Sequence, residues 1–287
     1  MLILGLFNGI RDRHQLRRHL IGDFTLKRFL KSAVFIYLFF AAYVFVAADS
    51  LIFLPPASSY TDTADIIKIA SSEQAQISAR YLPADNSPYT ILFSHGNAED
   101  LGTIAPILVT LRSLGLSVFA YDYQGYGTSS GKPSERAAYA DINAAYTYLT
   151  QTLEIPPEQI IVYGRSVGGG PSTYLATREP IAGLILESTF TSAFRTVVPV
   201  PILPFDKFPN RRNLQKFPGP VLIIHGTEDE SIPFTHGEQL LSLAPGPTQF
   251  LFVEDAGHND VQWVAGDRYL VALQSFIKLV QQTPQYR

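Results

Sequence analysis

The sequence predicts an α/β protein with a mostly parallel central sheet, helices on both faces of that sheet, and one transmembrane helix ahead of it. Short apolar runs of strand length alternate with helix-like stretches from about residue 63 onward. Continuous apolar runs are typical of parallel strands that are covered on both faces. One long uncharged run lies near the N-terminus. The chain has 287 residues, which is enough for one large core and a membrane anchor.

The predicted sheet has an opening pair of strands and six further strands separated by helices. The strand-like runs are 65–70, 75–82, 89–94, 117–122, 159–164, 181–187, 220–225 and 249–254. The longest helix-like stretches are 135–153 and 260–281. Segment 190–219, where a cap would be inserted, is short and rich in proline. We therefore expect a minimal cap over an open, shallow site.

The N-terminal region predicts a signal-anchor helix over residues 32–54. Residues 32–48 are uncharged, and residues 51–54 extend the apolar run beyond Asp49 and Ser50. A transmembrane helix needs about 20 apolar residues, so this segment is just long enough. The sequence Val46-Ala47-Ala48 resembles a cleavage site, so a cleaved signal peptide is the alternative.

Charge asymmetry around this segment predicts its orientation. Lys and Arg predominate in residues 1–31, whereas acidic residues predominate between 49 and 85. Positive charge marks the cytoplasmic side of a membrane helix. We expect a basic cytoplasmic segment over 1–31 and a catalytic domain over 63–287 on the opposite side of the membrane.

The most informative motif is Gly164-Arg165-Ser166-Val167-Gly168. It lies between an apolar run, residues 159–163, and a helix-like stretch, residues 169–177. A G-x-S-x-G sequence between a strand and a helix is typical of a nucleophile elbow, which exposes a serine hydroxyl at a helix N-terminus. The motif therefore predicts that Ser166 is a catalytic nucleophile.

A serine nucleophile needs a base and an acid that orients the base, in the chain order Ser, acid, His. His258 follows the late apolar run 249–253 and is the expected base. Asp229 follows the run 220–224 and is the expected acid. Glu187, which ends an earlier apolar run, is the alternative acid. The remaining downstream histidines have other predicted roles, structural for His225 and helix-surface for His236.

Negative charge that develops on a substrate carbonyl needs backbone donors. The loop Ser94-His95-Gly96-Asn97 follows an early strand, and such a loop supplies one donor while the residue after the nucleophile supplies the other. We expect these donors to be the N–H groups of Asn97 and Val167. Tyr123, in the Gly-rich loop after residues 117–122, is a further candidate for a substrate-lining residue.

These motifs carry a family likeness. The matching stretches are 93–100, 121–135, 163–168, 208–210, 221–230 and 254–260. They resemble the α/β-hydrolases, and more narrowly the membrane-anchored group that includes the eukaryotic protein depalmitoylases. The resemblance implies the α/β-hydrolase fold, triad roles for Ser166, Asp229 and His258, and oxyanion roles for Asn97 and Val167. This chain has no cysteine, so it departs from the lipidated, cysteine-rich N-terminus of those depalmitoylases.

Composition narrows the function further. The net charge is −3, and the soluble part has no basic stripe, which argues against nucleic-acid binding. The absence of cysteine excludes disulfides and thiolate chemistry, and no cofactor is implied. We expect a membrane-anchored serine hydrolase that cleaves ester or thioester bonds in acyl substrates, some of them lipid-bearing. The alternatives are a serine peptidase on the same fold and a non-catalytic, anchored binding module.

Overall fold

The computed structural model describes residues 25–72 and 75–284. The chain divides into two compact units, Met1–Ala48 and Asp49–Arg287. The predicted basic segment 1–31 lies outside the described residues as far as residue 24.

The first element, α1, is a helix over Leu26–Ile52. Thr25 caps it, because the N–H of Arg28 donates to the Thr25 Oγ1 atom over 3.3 Å. Its 27 residues span about 40 Å at 1.5 Å per residue, which exceeds a hydrocarbon core of about 30 Å. By length and composition alone, α1 suits either a membrane anchor or a signal sequence.

The bounds of α1 differ from the predicted segment 32–54 at both ends. The helix begins six residues earlier, where the side chain of Thr25 provides a start signal. It ends at Ile52, because Phe53 is buried with a 3% exposed fraction and belongs to the core of the second unit. The expectation that residues 53 and 54 continue the helix was wrong.

The second unit is built on one eight-stranded sheet in the order β1-β2-β4-β3-β5-β6-β7-β8. The strands are β1 (Ile66–Ser72), β2 (Ala75–Leu82), β3 (Thr90–Ser94), β4 (Ser117–Tyr121), β5 (Ile160–Arg165), β6 (Gly183–Glu187), β7 (Val221–Gly226) and β8 (Thr248–Val253). Strand β2 pairs antiparallel with β1 and β4, and all other pairs are parallel. The predicted eight-stranded, mostly parallel sheet is confirmed.

Helices connect the strands. They are α2 (Ala105–Ser113), α3 (Glu135–Thr147), α4 (Gly169–Ala176), α5 (Asn210–Leu214), α6 (Thr235–Leu243), α7 (Val261–Ala265) and α8 (Asp267–Gln282). The predicted helix 135–153 is α3 followed by a π-helical turn over Tyr148–Thr152. The predicted helix 260–281 is interrupted at Gly266, whose φ of 53° cannot continue a right-handed helix.

Each face of the sheet has its own core. Leu92 of β3 packs in one cluster with residues such as Ile142 of α3 and Leu175 of α4. Its neighbours on β3 point to the other face, where they pack with α2 and α8. This alternation is what a pleated strand covered on both sides requires.

Two features of the fold position the site. The carboxyl ends of β3, β5, β7 and β8 lie at one edge of the sheet, and the loops that follow them carry the predicted site residues. The crossing from β6 to β7 contains only a 3₁₀ turn, Ala193–Thr196, and the five-residue helix α5. The predicted minimal cap is confirmed, and this edge stays open.

Candidate active site

Ser166 lies on the sharp turn between β5 and α4. Its φ of 53° is in the left-handed region that non-glycine residues rarely adopt. The turn also needs its flanking glycines: a Cβ atom on Gly164 would lie 2.5 Å from the Gly168 carbonyl oxygen, and one on Gly168 would lie 2.1 Å from the Ser94 carbonyl oxygen. This strained and tightly packed turn is the geometry that the G-x-S-x-G motif predicts.

The structure brings Ser166, His258 and Asp229 together. The His258 Nε2 atom lies 3.0 Å from the Ser166 Oγ atom. The His258 Nδ1 atom lies 2.8 Å from the Asp229 Oδ2 atom. Since a carboxylate only accepts, Nδ1 of His258 donates, and Nε2 of the neutral ring can accept the hydroxyl hydrogen of Ser166. This is the arrangement that a serine nucleophile with a histidine base requires.

Asp229 is also bound by backbone groups of its own loop, the loop after β7, through the carboxylate oxygen that does not contact His258. Its Oδ1 atom accepts the N–H groups of Ser231, over 2.9 Å, and Ile232, over 2.7 Å. The His225 Nε2 atom lies 2.9 Å from the Ile232 carbonyl oxygen and 3.4 Å from the Asp229 Oδ2 atom. Burial by itself favours the neutral carboxyl, but the contacts with His225 and His258 outweigh it and hold the pKa of Asp229 below its ordinary value. His225 has the structural role that its position after β7 predicts.

The lowered pKa of Asp229 predicts the pH dependence of stability. A carboxyl whose pKa is lower in the folded state stabilises the fold above its unfolded-state pKa of about 3.9. That stabilisation is lost as the pH falls through the lower folded-state value. We expect the difference in melting temperature between the wild type and Asp229→Asn to narrow as the pH falls below about 4. Thermal unfolding at a series of pH values measures it, and a difference that stays constant with pH would contradict the expectation.

The alternative acid, Glu187, does not face His258. Its carboxylate accepts hydrogen bonds from the hydroxyls of Tyr163 and Tyr269, and it pairs with Arg165 over 3.2 Å. Together these groups contact both carboxylate oxygens of Glu187. The geometry therefore favours Asp229 as the acid partner of His258.

The expectation that His236 lies on a helix surface was wrong. His236 is in the first turn of α6, has an exposed fraction of 5%, and faces Thr191. Its Nδ1 atom lies 3.0 Å from the Thr191 Oγ1 atom. The polar sequence around His236 gives no sign that this turn is buried beneath the β6–β7 crossing.

The loop predicted to supply an oxyanion donor, residues 95–99 and called the oxyanion loop below, lies beside Ser166. The N–H of Gly96 donates to the Glu99 Oε2 atom over 2.6 Å, and the other oxygen of that carboxylate pairs with Arg165. Within residues 25–72 and 75–284, the N–H of Asn97 donates no hydrogen bond to the protein. The N–H of Val167 is at the start of a helical turn, where such groups have no partner within the turn. Asn97 lines the same cleft as Ser166, and Val167 directly follows Ser166 in the turn.

A cleft of about 280 Å³ opens over Ser166 and His258. Its polar lining includes Glu99, Arg165 and Asn259. Glu99 and Arg165 are not among the predicted site residues, although Glu99 lies in the stretch 93–100 and Arg165 in the stretch 163–168. In the part of the chain that the structure describes, no cluster of three or more His, Cys, Asp or Glu residues could hold a metal ion.

Tyr123 does not line this cleft, and its predicted substrate-lining role has to be corrected. Its exposed fraction is 1%, and its hydroxyl donates to the His95 carbonyl oxygen over 2.7 Å. The ring packs against Phe53 and Tyr126. Tyr123 therefore stabilises the oxyanion loop through its hydrogen bond to His95. It is buried because the chain turns back into the core after β4 ends at Tyr121.

The sheet topology, the elbow serine and the open carboxyl edge define an α/β-hydrolase. A family model described as "Serine aminopeptidase, S33" matches residues 86–205. Human alpha/beta hydrolase domain-containing protein 17B is 47% identical over 195 residues, which cover 67% of this chain and 67% of the relative. Alpha/beta hydrolase domain-containing protein aho-3 of Caenorhabditis elegans is 39% identical over 259 residues, which cover 80% and 77%. The chain belongs to the family of α/β-hydrolase domain-containing proteins, and it is a serine hydrolase.

Solved structures show the same fold at low sequence identity. An esterase of Pyrococcus furiosus, Pf2001, superposes with a TM-score of 0.65 at 17% identity, over 78% of this chain and 98% of the esterase. Est1E of Butyrivibrio proteoclasticus, with ferulic acid bound, superposes with a TM-score of 0.62 at 17% identity, over 75% and 100%. At this level of identity the likeness concerns the fold alone.

Proposed function

We propose that the protein is a membrane-anchored serine hydrolase that cleaves acyl esters or thioesters through a triad of Ser166, His258 and Asp229. The single observation that carries this proposal is the chain of two hydrogen bonds from Ser166 through His258 to Asp229, at 3.0 Å and 2.8 Å. The chain starts at an elbow whose neighbouring N–H groups, from Asn97 and Val167, suit an oxyanion.

The mechanism follows from this geometry. The Ser166 Oγ atom attacks the acyl carbon while the His258 Nε2 atom takes its proton. The N–H groups of Asn97 and Val167 stabilise the negative charge on the former carbonyl oxygen. His258 then gives the proton to the leaving alcohol or thiol, and water, activated in the same way, releases the acyl group from Ser166. Asp229 keeps His258 in the required tautomer and stabilises its charged form.

A peptidase is the second candidate, because the matching family model carries an aminopeptidase description. An aminopeptidase needs a carboxylate that can pair with the substrate's free amine. Glu99 is the carboxylate in the cleft, but one of its oxygens accepts the Gly96 N–H and the other pairs with Arg165. The charge of Glu99 is therefore already balanced by Arg165, which favours an ester or thioester substrate over one with a free amine.

Exposed apolar side chains on the β6–β7 crossing support a lipid-bearing acyl group. Val197 and Val200 have exposed fractions of 83% and 57%, and the crossing begins at the same sheet edge as the cleft. Burying apolar surface of this kind is favourable at about 25 cal/mol per Å². The cleft itself is polar and suits the leaving group, so a long acyl chain would lie along the crossing.

A panel of acyl esters and thioesters from two to sixteen carbons, beside aminoacyl anilides, tests the substrate class. We expect hydrolysis of esters or thioesters, with kcat/KM rising with chain length, and a rate lower by about a thousandfold or more in Ser166→Ala. The double variant Val197→Ser, Val200→Ser should reduce kcat/KM by about tenfold for long chains and leave short chains within about twofold. Preference for the anilides would favour the peptidase instead.

The anchor and its orientation are also part of the proposal. The length and exposed apolar side chains of α1 support a membrane span, and the basic residues ahead of it favour a cytoplasmic N-terminus. We propose that the catalytic domain is extracytoplasmic. The apolar segment would then be retained as an anchor and not cleaved.

The orientation predicts a protease-protection result. Protease added to intact cells, or to spheroplasts where an outer membrane is present, should digest the C-terminal domain and spare a tag at Met1. Protection of the C-terminal domain would reverse the orientation and place cytosolic protein thioesters within reach. A soluble species that starts near Asp49 would show that the segment is a cleaved signal peptide.

A further inference from the structure

The side chain of Asn97 makes hydrogen bonds with Ile52, the last residue of α1, and with Leu54, two residues further on. Its Nδ2 group donates to the Ile52 carbonyl oxygen over 2.8 Å. Its Oδ1 atom accepts the N–H of Leu54 over 2.9 Å. The carboxamide of Asn97 thus pairs with a C=O and an N–H of the segment 52–54, as an adjacent strand would.

Tyr126 completes this contact. Its hydroxyl donates to the Asn97 Oδ1 atom over 2.6 Å and lies 3.0 Å from the N–H of Leu54. Tyr126 is fully buried, and it comes from the Gly-rich loop after β4. Three separate parts of the chain therefore meet at the Asn97 carboxamide.

Phe53 fixes the segment 52–54 in the core. Its ring makes edge-on contacts with Tyr123, Tyr126 and Phe208, at centroid distances of 6.2, 6.4 and 5.9 Å. Aromatic pairs of this geometry stabilise the fold beyond the apolar area that they bury. Such a residue gives the segment a fixed position from which to hold Asn97.

The oxyanion loop is held at its other end by charge. Glu99 accepts the Gly96 N–H and pairs with Arg165, which directly precedes Ser166. Between these two attachments, Ala98 has a φ of 57°, a conformation that a non-glycine residue keeps only when its surroundings impose it. The peptide group that carries the Asn97 N–H joins Gly96, whose own N–H is bound by Glu99, to Asn97, whose side chain is bound by the segment 52–54.

We propose that Asn97, through its side-chain contacts with Ile52, Leu54 and Tyr126, positions its own backbone N–H as the oxyanion donor. Ile52, Leu54 and Tyr126 are positioning residues in this account, and the junction after α1 is part of the site. The inference rests on the proposed function, since it assumes that an oxyanion forms beside Ser166. It adds that the segment 52–54, which continues from the end of α1, affects how tightly the active site binds the transition state.

Two variants of the full-length protein in detergent test this. Tyr126→Phe removes one hydroxyl, and Asn97→Ala removes the carboxamide but keeps the N–H. The matched control is Tyr146→Phe, which removes a buried hydroxyl that donates to the Pro180 carbonyl oxygen over 2.8 Å instead. Each variant is assayed for kcat, KM, melting temperature and affinity for an acyl trifluoromethyl ketone, which forms a Ser166-linked hemiketal oxyanion.

Loss of an oxyanion donor costs about 10²–10³ in kcat, so misplacing one should cost somewhat less. We expect kcat to fall about tenfold in Tyr126→Phe and up to about a hundredfold in Asn97→Ala, with KM within about twofold. Affinity for the ketone should fall by a similar factor, while the melting temperature of Tyr126→Phe changes no more than that of the control. A purely structural contact would lower the melting temperature without this selective loss.

The outcomes separate this inference from the proposed function. Fluorophosphonate labelling of Ser166 should persist in both variants. If labelling persists but kcat and ketone affinity stay within about twofold of the Tyr146→Phe control, the positioning role is overturned and the serine hydrolase account stands. If Ser166→Ala itself hydrolyses the ester at the wild-type rate, the proposed function fails first.

Discussion

Replacing Ser166 with alanine should abolish fluorophosphonate labelling and lower kcat for the best ester by a factor of about a thousand or more. The Oγ atom of Ser166, 3.0 Å from the His258 Nε2 atom, is the proposed nucleophile, so no acyl-enzyme can form without it. The oxyanion donors and the substrate-binding surface would remain, and these alone leave a residual rate above that in water. Steady-state kinetics with the matched ester and gel-based labelling measure the two effects.

Ser188 provides a matched control for this substitution. It also follows a parallel strand, has a φ of 45°, and is fully buried, but within the described residues its Oγ atom has no hydrogen-bond partner, whereas that of Ser166 lies 3.0 Å from the His258 Nε2 atom. Ser188→Ala should keep fluorophosphonate labelling and kcat within about tenfold of the wild type. Persistent labelling in Ser166→Ala, with loss of labelling in Ser188→Ala, would show that the wrong serine has been assigned.

The second large effect is expected at the acid. Asp229→Asn should lower kcat by about 10⁴, because an amide at this position favours the tautomer of His258 that presents N–H to Ser166. The backbone N–H groups of Ser231 and Ile232 can still bind an amide oxygen, so the loop has reason to keep its shape. Kinetics with the same ester and a thermal unfolding curve separate loss of catalysis from loss of folding.

Glu187→Gln is the comparison that decides between the two acids. Glu187 is buried and hydrogen-bonded like Asp229, but its partners are Tyr163, Tyr269 and Arg165. We expect this variant to lose stability and to retain far more activity than Asp229→Asn. If the kinetic losses were reversed, Glu187 would act on His258 and the assignment of Asp229 would be wrong.

Much of the fold could be predicted because its signals are local. Each parallel strand is a short apolar run, and each ends where a loop with glycine or a charged residue begins. The positions of Ser166, Asp229 and His258 follow from the same signals, since carboxyl ends of parallel strands meet at one edge. Ser166, Asp229 and His258 are separated widely in the sequence, but all three lie on the turns or loops that follow strands.

The remaining features depend on contacts that no local pattern encodes. Phe53 continues an apolar run, so the sequence predicts that it belongs to the helix. In the structure its ring packs in the core against Tyr123, Tyr126 and Phe208. The burial of Tyr123 has the same cause. Gly266 interrupts the last helix through a backbone conformation that a hydrophobic periodicity does not reveal.

The ion pair between Glu99 and Arg165 could not be predicted from the sequence for a related reason. Glu99 and Arg165 lie 66 positions apart in the chain, and each looks like an ordinary polar residue of its own motif. Only the parallel pairing of β3 with β5 brings the loops that carry them together. In this position Glu99 accepts the N–H of Gly96. The N–H of Asn97 then has no hydrogen-bond acceptor among the described residues.

The central claim is that Ser166 is the nucleophile of an acyl hydrolase. Mass spectrometry of the full-length protein, labelled with a fluorophosphonate and digested, locates the modified residue directly. The account predicts one stoichiometric adduct on Ser166, formed at a rate that falls in Asp229→Asn and blocked by an ester substrate. An adduct on a different serine, or undiminished ester hydrolysis by fully labelled protein, would contradict it.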